Sequence, residues 1–274
     1  MEPPSSLPAQ LFLLAYDLEH DRMHRSPYLG LSLRAAALTD LLHQGVIADD
    51  NGRVLLVTPS GGTSAAHDTA RHSPARRSAA RRGRGLRGRS PRPASARPGR
   101  PPSSVGASFT DPLRARLITE IAASGRERSW RYWVGRRPRG TDRIVRQHLS
   151  DGGWIRLEHR RILGIIPTTG VTVRDRVMVL RLQQAVDEAL RGTPGRSRSR
   201  SPGRAAGAGA GHTADPAPAS LAALLAAGQI GALRGRRVRR ELRHRLAAVE
   251  MVAGPAVPAL RAAVRAQQSA AAAG

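Results

Sequence analysis

Apolar residues along this 274-residue chain recur mostly at spacings of three and four, the period of helices packed on one side. A short helix is predicted over 7–16, with Leu11, Leu14 and Ala15 on one face. A stronger one covers 29–44 through Leu31, Leu38, Leu41 and Leu42, and Gly45 stands where a C-terminal cap belongs. Residues 46–48 and 53–57 flank Asp49-Asp50-Asn51-Gly52, and Asn-Gly is a strong hairpin signal. Further along, 111–123 is amphipathic through Leu113, Leu117, Ile118 and Ile121, a second helix begins over 129–134, and a third covers 141–151 ahead of Gly152 and Gly153. A second hairpin is expected over 154–157 and 161–166. Residues 177–190 read as a long helix with Leu180, Ala185, Val186 and Leu190 inward, and helices over 220–233, 239–253 and 257–268 complete the chain. The pattern predicts a mainly α fold, a single helical domain with short β-hairpins.

The two helix–hairpin units echo one another at an offset of 108. Leu41, Gly45, Ile47, Arg53, Val54 and Leu55 fall on Leu149, Gly153, Ile155, Arg161, Ile162 and Leu163. Each hairpin needs a helix to cover its apolar face, because an isolated two-stranded ribbon is marginal in water.

Composition changes the picture in two stretches. The formal charge is +25, all 45 basic residues are arginine, and cysteine is absent, which excludes disulfide scaffolds, cysteine nucleophiles and thiolate zinc sites. Sixteen of those arginines lie in 71–102 and 191–214, which contain no acid and no apolar periodicity. Such Arg/Gly/Pro/Ser-rich sequence cannot bury enough surface to offset its ordering entropy, so 60–105 and 191–215 read as disordered inserts. The remainder carries only +9. The N-terminus opens with Glu2 and lacks the basic flank of a signal peptide. The longest apolar run, 221–233, is interrupted by Gly228, Gln229 and Gly231 and is too short to span a bilayer. A cytoplasmic location with at most peripheral membrane contact is the expectation.

Candidate chemistry is sparse. Gly83-Arg84-Gly85-Leu86-Arg87-Gly88 matches a dinucleotide fingerprint in letters only, since no strand precedes it and no helix follows. His20 and His24, with Asp17, Glu19 and Asp21, imitate a metal cluster but sit on a polar run ending at Pro27 that reads as a loop. No metal, cofactor or catalytic residue is assigned, and the chain reads as a non-enzyme. Trp130-Arg131-Tyr132-Trp133 followed by Arg136, Arg137, Arg139, Arg143 and Arg146 is a candidate polyanion surface, with Trp133 itself read as core. The helix over 141–151 with its hairpin also resembles the helix-plus-wing half of a winged helix. That keeps open an alternative, nucleic-acid binding through this segment or the Arg-rich inserts.

The order of pieces resembles the Golgi phosphoprotein 3 family. The resemblance is carried by Leu7 to Tyr16, Leu29 to Leu38, Leu41 to Gly45 with its hairpin, Asp111-Pro112-Leu113, Trp133-Val134, and His148-Leu149 to Trp154-Ile155. Ile162 to Pro167 and Asp215-Pro216 before 221–227 extend it. It implies one domain made of 7–59, 106–190 and 216–274, interrupted by the inserts 60–105 and 191–215. It also implies a non-enzymatic, peripheral membrane protein that binds phosphatidylinositol 4-phosphate-like headgroups through an arginine pocket. Arg34 matches the family's helix arginine and Arg139 the first of its two later arginines. The second falls on Asp142, with Arg143 adjacent, and the family's tryptophan falls on Arg25. Arg25, Arg34, Arg139 and Arg143 are thus the expected headgroup ligands, with an anionic phosphoinositide as partner. The family's self-association hairpin corresponds to Trp154, Ile155, Ile162 and Leu163, its turn made polar by Glu158, His159, Arg160 and Arg161; this implies a homo-oligomer.

Overall fold

A helix as apolar as 29–43 is stable in water only when neighbours cover it on every side. The fold is arranged around that need. In the computed structural model, which describes residues 1–24, 26–57, 111–162, 166–192 and 215–274, α2 (Leu29–His43) buries every residue from Leu31 to Leu41. Before it come α1 (Leu7–Leu14) and the short antiparallel pair β1 (Tyr16–Asp17) and β2 (Arg22–Met23). After it comes the hairpin β3 (Ile47–Asp50) and β4 (Arg53–Leu56), closed by Asn51 and Gly52 at φ 49° and 82°, the left-handed pair that a two-residue turn requires.

The middle of the chain supplies α3 (Pro112–Ala122), β5 (Arg128–Ser129), α4 (Trp130–Gly135) and α5 (Thr141–Asp151), then the second hairpin β6 (Ile155–Ile162) and β7 (Ile166–Val173). Its last helices are α6 (Arg176–Arg191), α7 (Pro216–Ala227), α8 (Arg236–Glu241), α9 (Arg243–Ala253) and α10 (Ala256–Ala272). Helices α1, α3, α4, α5, α7 and α10 all pack on α2. The protein is mainly α with antiparallel strand pairs, and one apolar core built largely from Leu, Val and Ala joins the elements.

The echo at offset 108 is real at the corner where helix becomes strand. After α2, the Val46 N–H donates to Leu41 O (3.0 Å) and the Gly45 N–H to Leu42 O (3.0 Å). After α5, Trp154 donates to Leu149 O (3.0 Å) and Gly153 to Ser150 O (3.0 Å). This paired six-to-one and five-to-two bonding needs a left-handed residue, and Gly45 (φ 67°) and Gly153 (φ 77°) provide it. Ile47 and Ile155 then enter the core at equivalent places, each 1% exposed.

Beyond that corner the units diverge. Strand β6 runs through Glu158 to Ile162, so those residues pair with Gly170 through Ile166 and do not form the turn expected of them. The β-branched run Thr168, Thr169, Val171, Thr172, Val173 supplies a longer partner than the sequence pattern suggested. On α6, Leu180 points to solvent at 47% exposure, while Met178, Val179, Val186 and Leu190 face the core. The apolar stretch after 220 ends its helix at Ala227, and 239–253 divides between α8 and α9. The inserts expected at 60–105 and through most of 191–215, and the glycine motif at 83–88, lie outside the described residues.

Gly45→Ala and Gly153→Ala should each cost about 1 kcal/mol in urea denaturation, because the penalty is the left-handed backbone alone. Cβ atoms there meet nothing closer than 3.7 Å. The double variant should lose the sum, as expected of independent sites.

Candidate functional site

Two buried ion pairs link α2 to α3. The Arg34 guanidinium, 1% exposed, donates from Nη2 to Glu120 Oε2 (2.9 Å) and from Nε to the Trp133 carbonyl (2.9 Å). Arg116 holds the other Glu120 oxygen at 3.1 Å. Burial by itself would raise the Glu120 carboxyl, but hydrogen bonds and charge from Arg34 and Arg116 outweigh it and hold it below the ordinary glutamate value. One and a half turns further along α2, Asp40 accepts from Arg114 Nη1 (3.2 Å), the Leu7 N–H (3.2 Å) and Gln44 Nε2 (3.0 Å). Asp111 caps α3 through the N–H groups of Leu113 and Arg114 and accepts the Ser6 hydroxyl.

Arg34 is therefore a core residue in an ion pair, and it does not line a surface pocket. A signal for this stood in the sequence: Leu31, Arg34, Leu38 and Leu41 share one helical stripe, so the arginine sits among core positions.

Next to the N-terminus of α2 lies a surface cavity of about 490 Å³, lined by Ser26, Pro27, Leu29, Gly30, Arg139 and Asp142, with Pro138 and Gln267 at its sides. Two loops meet here because the second residue of α2 is glycine: a Cβ on Gly30 would stand 2.4 Å from the Pro138 carbonyl oxygen. Neither α2 nor α5 has a side-chain cap; the Leu29 N–H donates to the Ser26 carbonyl and the Thr141 N–H to the Pro138 carbonyl (both 3.3 Å), and the next residues of the two first turns, Gly30 and Asp142, border the cavity. Helix N-termini favour anions. Arg139 is exposed, and no hydrogen bond or ion pair holds its guanidinium among the described residues. Asp142 is paired with Arg146 (3.0 Å) on the next turn of α5. A second hollow of about 470 Å³ shares Ser26, Pro27 and Leu29 and adds Phe12, Met23, His24 and Arg146.

Of the four expected headgroup residues, the structure brings Arg139 to the cavity and buries Arg34 in the core, outside the lining. Arg143 is exposed on α5 outside the lining, and Arg25 lies outside the described residues. In the second hairpin, Ile155 belongs to the intramolecular core, and half-buried Trp154 donates to the Glu2 carbonyl (3.0 Å). Ile162 is at the far end of β6, paired with Ile166, and Leu163 lies outside the described residues. Trp133 is buried as expected. Trp130 is buried too and donates to Asp49 Oδ1 (2.6 Å), which ties α4 to the first hairpin. Asp17, Glu19 and His20 gather on an exposed turn, with His20 Nδ1 2.9 Å from Asp17; His24 lines the second hollow instead. No helix among the described residues is long and apolar enough to cross a membrane.

Fold and cavity together define a mainly helical domain with an arginine-bearing surface cleft at the junction of two helix N-termini. The family model of Golgi phosphoprotein 3 (GPP34) matches residues 7–267, and the chain belongs to that family. A search of curated proteins finds no match.

Glu120→Gln should lower unfolding stability by about 3 kcal/mol at neutral pH, because it leaves the Arg34 charge buried without a counter-charge. The sign with pH follows from the depressed carboxyl. Its contribution is complete above the ordinary glutamate value and is lost as pH falls through the folded value, so the gap between parent and variant should close below about pH 4.3. Adding Arg34→Met to Glu120→Gln should recover part of the loss, since removing both charges costs less than stranding one.

Proposed function

We propose that this chain is a non-enzymatic, peripheral membrane protein that binds anionic lipid headgroups, phosphoinositides among them, at the cleft between α2 and the 138–142 loop. The single observation that carries this reading is Arg139, exposed and without a hydrogen-bond or ion-pair partner among the described residues, in a cavity bounded by the starts of α2 and α5, which have no side-chain cap. Guanidinium forks and first-turn N–H groups are the donors that a phosphate monoester accepts from. Membership of the Golgi phosphoprotein 3 family supports the same reading, since the family resemblance implies a phosphatidylinositol 4-phosphate pocket at these positions. The arginine replacing the family tryptophan and the aspartate replacing its second pocket arginine argue for attraction by charge more than for selection of one headgroup. The expected location is the cytoplasmic face of a membrane.

Arg34 acts in this reading as a positioning residue. It holds α2 to α3 and to the Trp133 carbonyl, and so sets where the helix start and the loop meet. The nucleic-acid alternative has one observation in its favour, the order α3, β5, α4, α5, β6, β7, which is that of a winged helix. Strand β5 pairs with β4 of the first hairpin, however, and not with β6 or β7.

Flotation on vesicles of phosphatidylcholine alone, with phosphatidylserine, or with phosphatidylinositol 4-phosphate tests the proposal. Arg139→Ala should weaken binding to charged vesicles about fivefold, the effect of one basic residue near an anionic surface. Asp142→Arg should strengthen it by at least as much. Unchanged recovery for both variants refutes the site, and retention by duplex DNA that Arg143→Ala abolishes would favour the alternative.

A further inference from the structure

Sharing no lining residue with the headgroup cleft, α7, α8, α9 and α10 border a second cavity of about 430 Å³, within the range of small-molecule sites. Its charge is one-sided. Arg239, Arg243, Arg261 and Arg265 line it against a single carboxylate, Glu250. That carboxylate is already engaged by both terminal nitrogens of Arg261, at 2.8 Å for Nη1 to Oε2 and closely for Nη2 to Oε1. The pairing fixes Arg261 and uses the one carboxylate of the lining, so it does not reach Arg243 or Arg265. Arg239 is fixed as well, through Nη1 to the Leu233 carbonyl (3.0 Å). The rim is thus partly preorganised, while Arg243 and Arg265 remain exposed at the mouth.

The floor has the opposite character. Ala226, Ala227, Leu246 and Val264 are each at most 4% exposed and present methyl groups to the cavity. A bare ion would satisfy the rim and leave this floor wet, and an uncharged hydrocarbon would leave the arginines facing one another. A ligand with an oxyanion at one end and a short apolar group at the other satisfies both surfaces. Planar guanidinium forks match a phosphate ester through paired hydrogen bonds better than they match a halide or a single hydroxyl. We infer that this cavity is a binding site for an organic phosphate, with the phosphate on the arginine rim and its apolar substituent on the alanine–leucine–valine floor. The site is separate from the headgroup cleft and stands or falls independently of it.

Isothermal titration calorimetry of the full chain with inorganic phosphate, ethyl, butyl and hexyl phosphate, and hexanol tests this. Affinity should rise about fourfold for each methylene that reaches the floor, with inorganic phosphate weak and hexanol weaker than hexyl phosphate. Arg243→Ala combined with Arg265→Ala should reduce hexyl phosphate affinity at least tenfold. Ala247→Phe, at an exposed position on the lining, keeps every charge while filling the space and should reduce it similarly. Arg139→Ala should leave it unchanged. Inorganic phosphate binding as tightly as hexyl phosphate overturns the inference, since the floor would then contribute nothing. So does undiminished affinity in either the double variant or Ala247→Phe, or a loss caused by Arg139→Ala, which would place the ligand in the other cleft.

Discussion

The fold depends on how α2 meets α3. A central helix that is buried on all sides carries two charges, Arg34 and Asp40, and each must find an opposite charge or cost several kcal/mol. Both partners come from α3, and the spacing makes the match specific. Arg34 and Asp40 are six residues apart, as are Arg114 and Glu120, about 9 Å along either helix. Run antiparallel, the helices bring arginine to glutamate and aspartate to arginine. Run parallel, they would set arginine against arginine and acid against acid. A slip of one turn would break both pairs at once. The charges thus choose orientation and register between two helices separated in sequence by the long first insert, while the apolar surface around them supplies the non-directional part of the stability.

Much of the rest follows from that junction. Asp40 also receives the Leu7 N–H, and Asp111 receives Ser6, so the start of α1 is seated on the same polar knot. At the other end, the bond from Arg34 to the Trp133 carbonyl fixes α4, and with it the loop whose Pro138 lies against Gly30. The cleft beside Arg139 exists because these contacts bring one helix start against the approach to another. Charge in this protein therefore has two roles. Buried Arg34 and Arg114 are partnered and structural, whereas Arg139 and, beside the α7–α10 cavity, Arg243 and Arg265 stand exposed on the surface.

The elements themselves were legible. Three-to-four spacing placed α2, α3, α5 and α10, Asn51-Gly52 placed the first hairpin, and glycines after Leu41 and Leu149 marked two equivalent corners. Periodicity assumes that a helix has one buried face, however, and this misled the reading in two directions. In α2 every face is buried, so the apolar stripe understates its burial; the assignment of Arg34 as a headgroup ligand comes from the family resemblance, although the residue stands on that stripe. In α6 only part of the apolar set turns inward, and Leu180, which the spacing predicts to be inward, faces solvent. The sequence pattern predicts a shorter second hairpin than the one that forms, because the residues after Pro167 are polar as often as apolar and the β-branched positions of β7 carry no alternation to reveal it.

The sequence by itself determined the existence and order of most helices, the first hairpin, the two helix-to-strand corners and the family, because each rests on contacts within a few residues or on the order of such segments. It did not determine which arginines are partnered. Arg34 lies 86 residues from Glu120 and Arg114 lies 74 from Asp40, and no local pattern encodes a pairing across such distances. Only the tertiary structure decided that Arg34 belongs to the core and Arg139 to the cleft. Burial makes an ion pair obligatory in one place, and exposure leaves a guanidinium open to a ligand in the other.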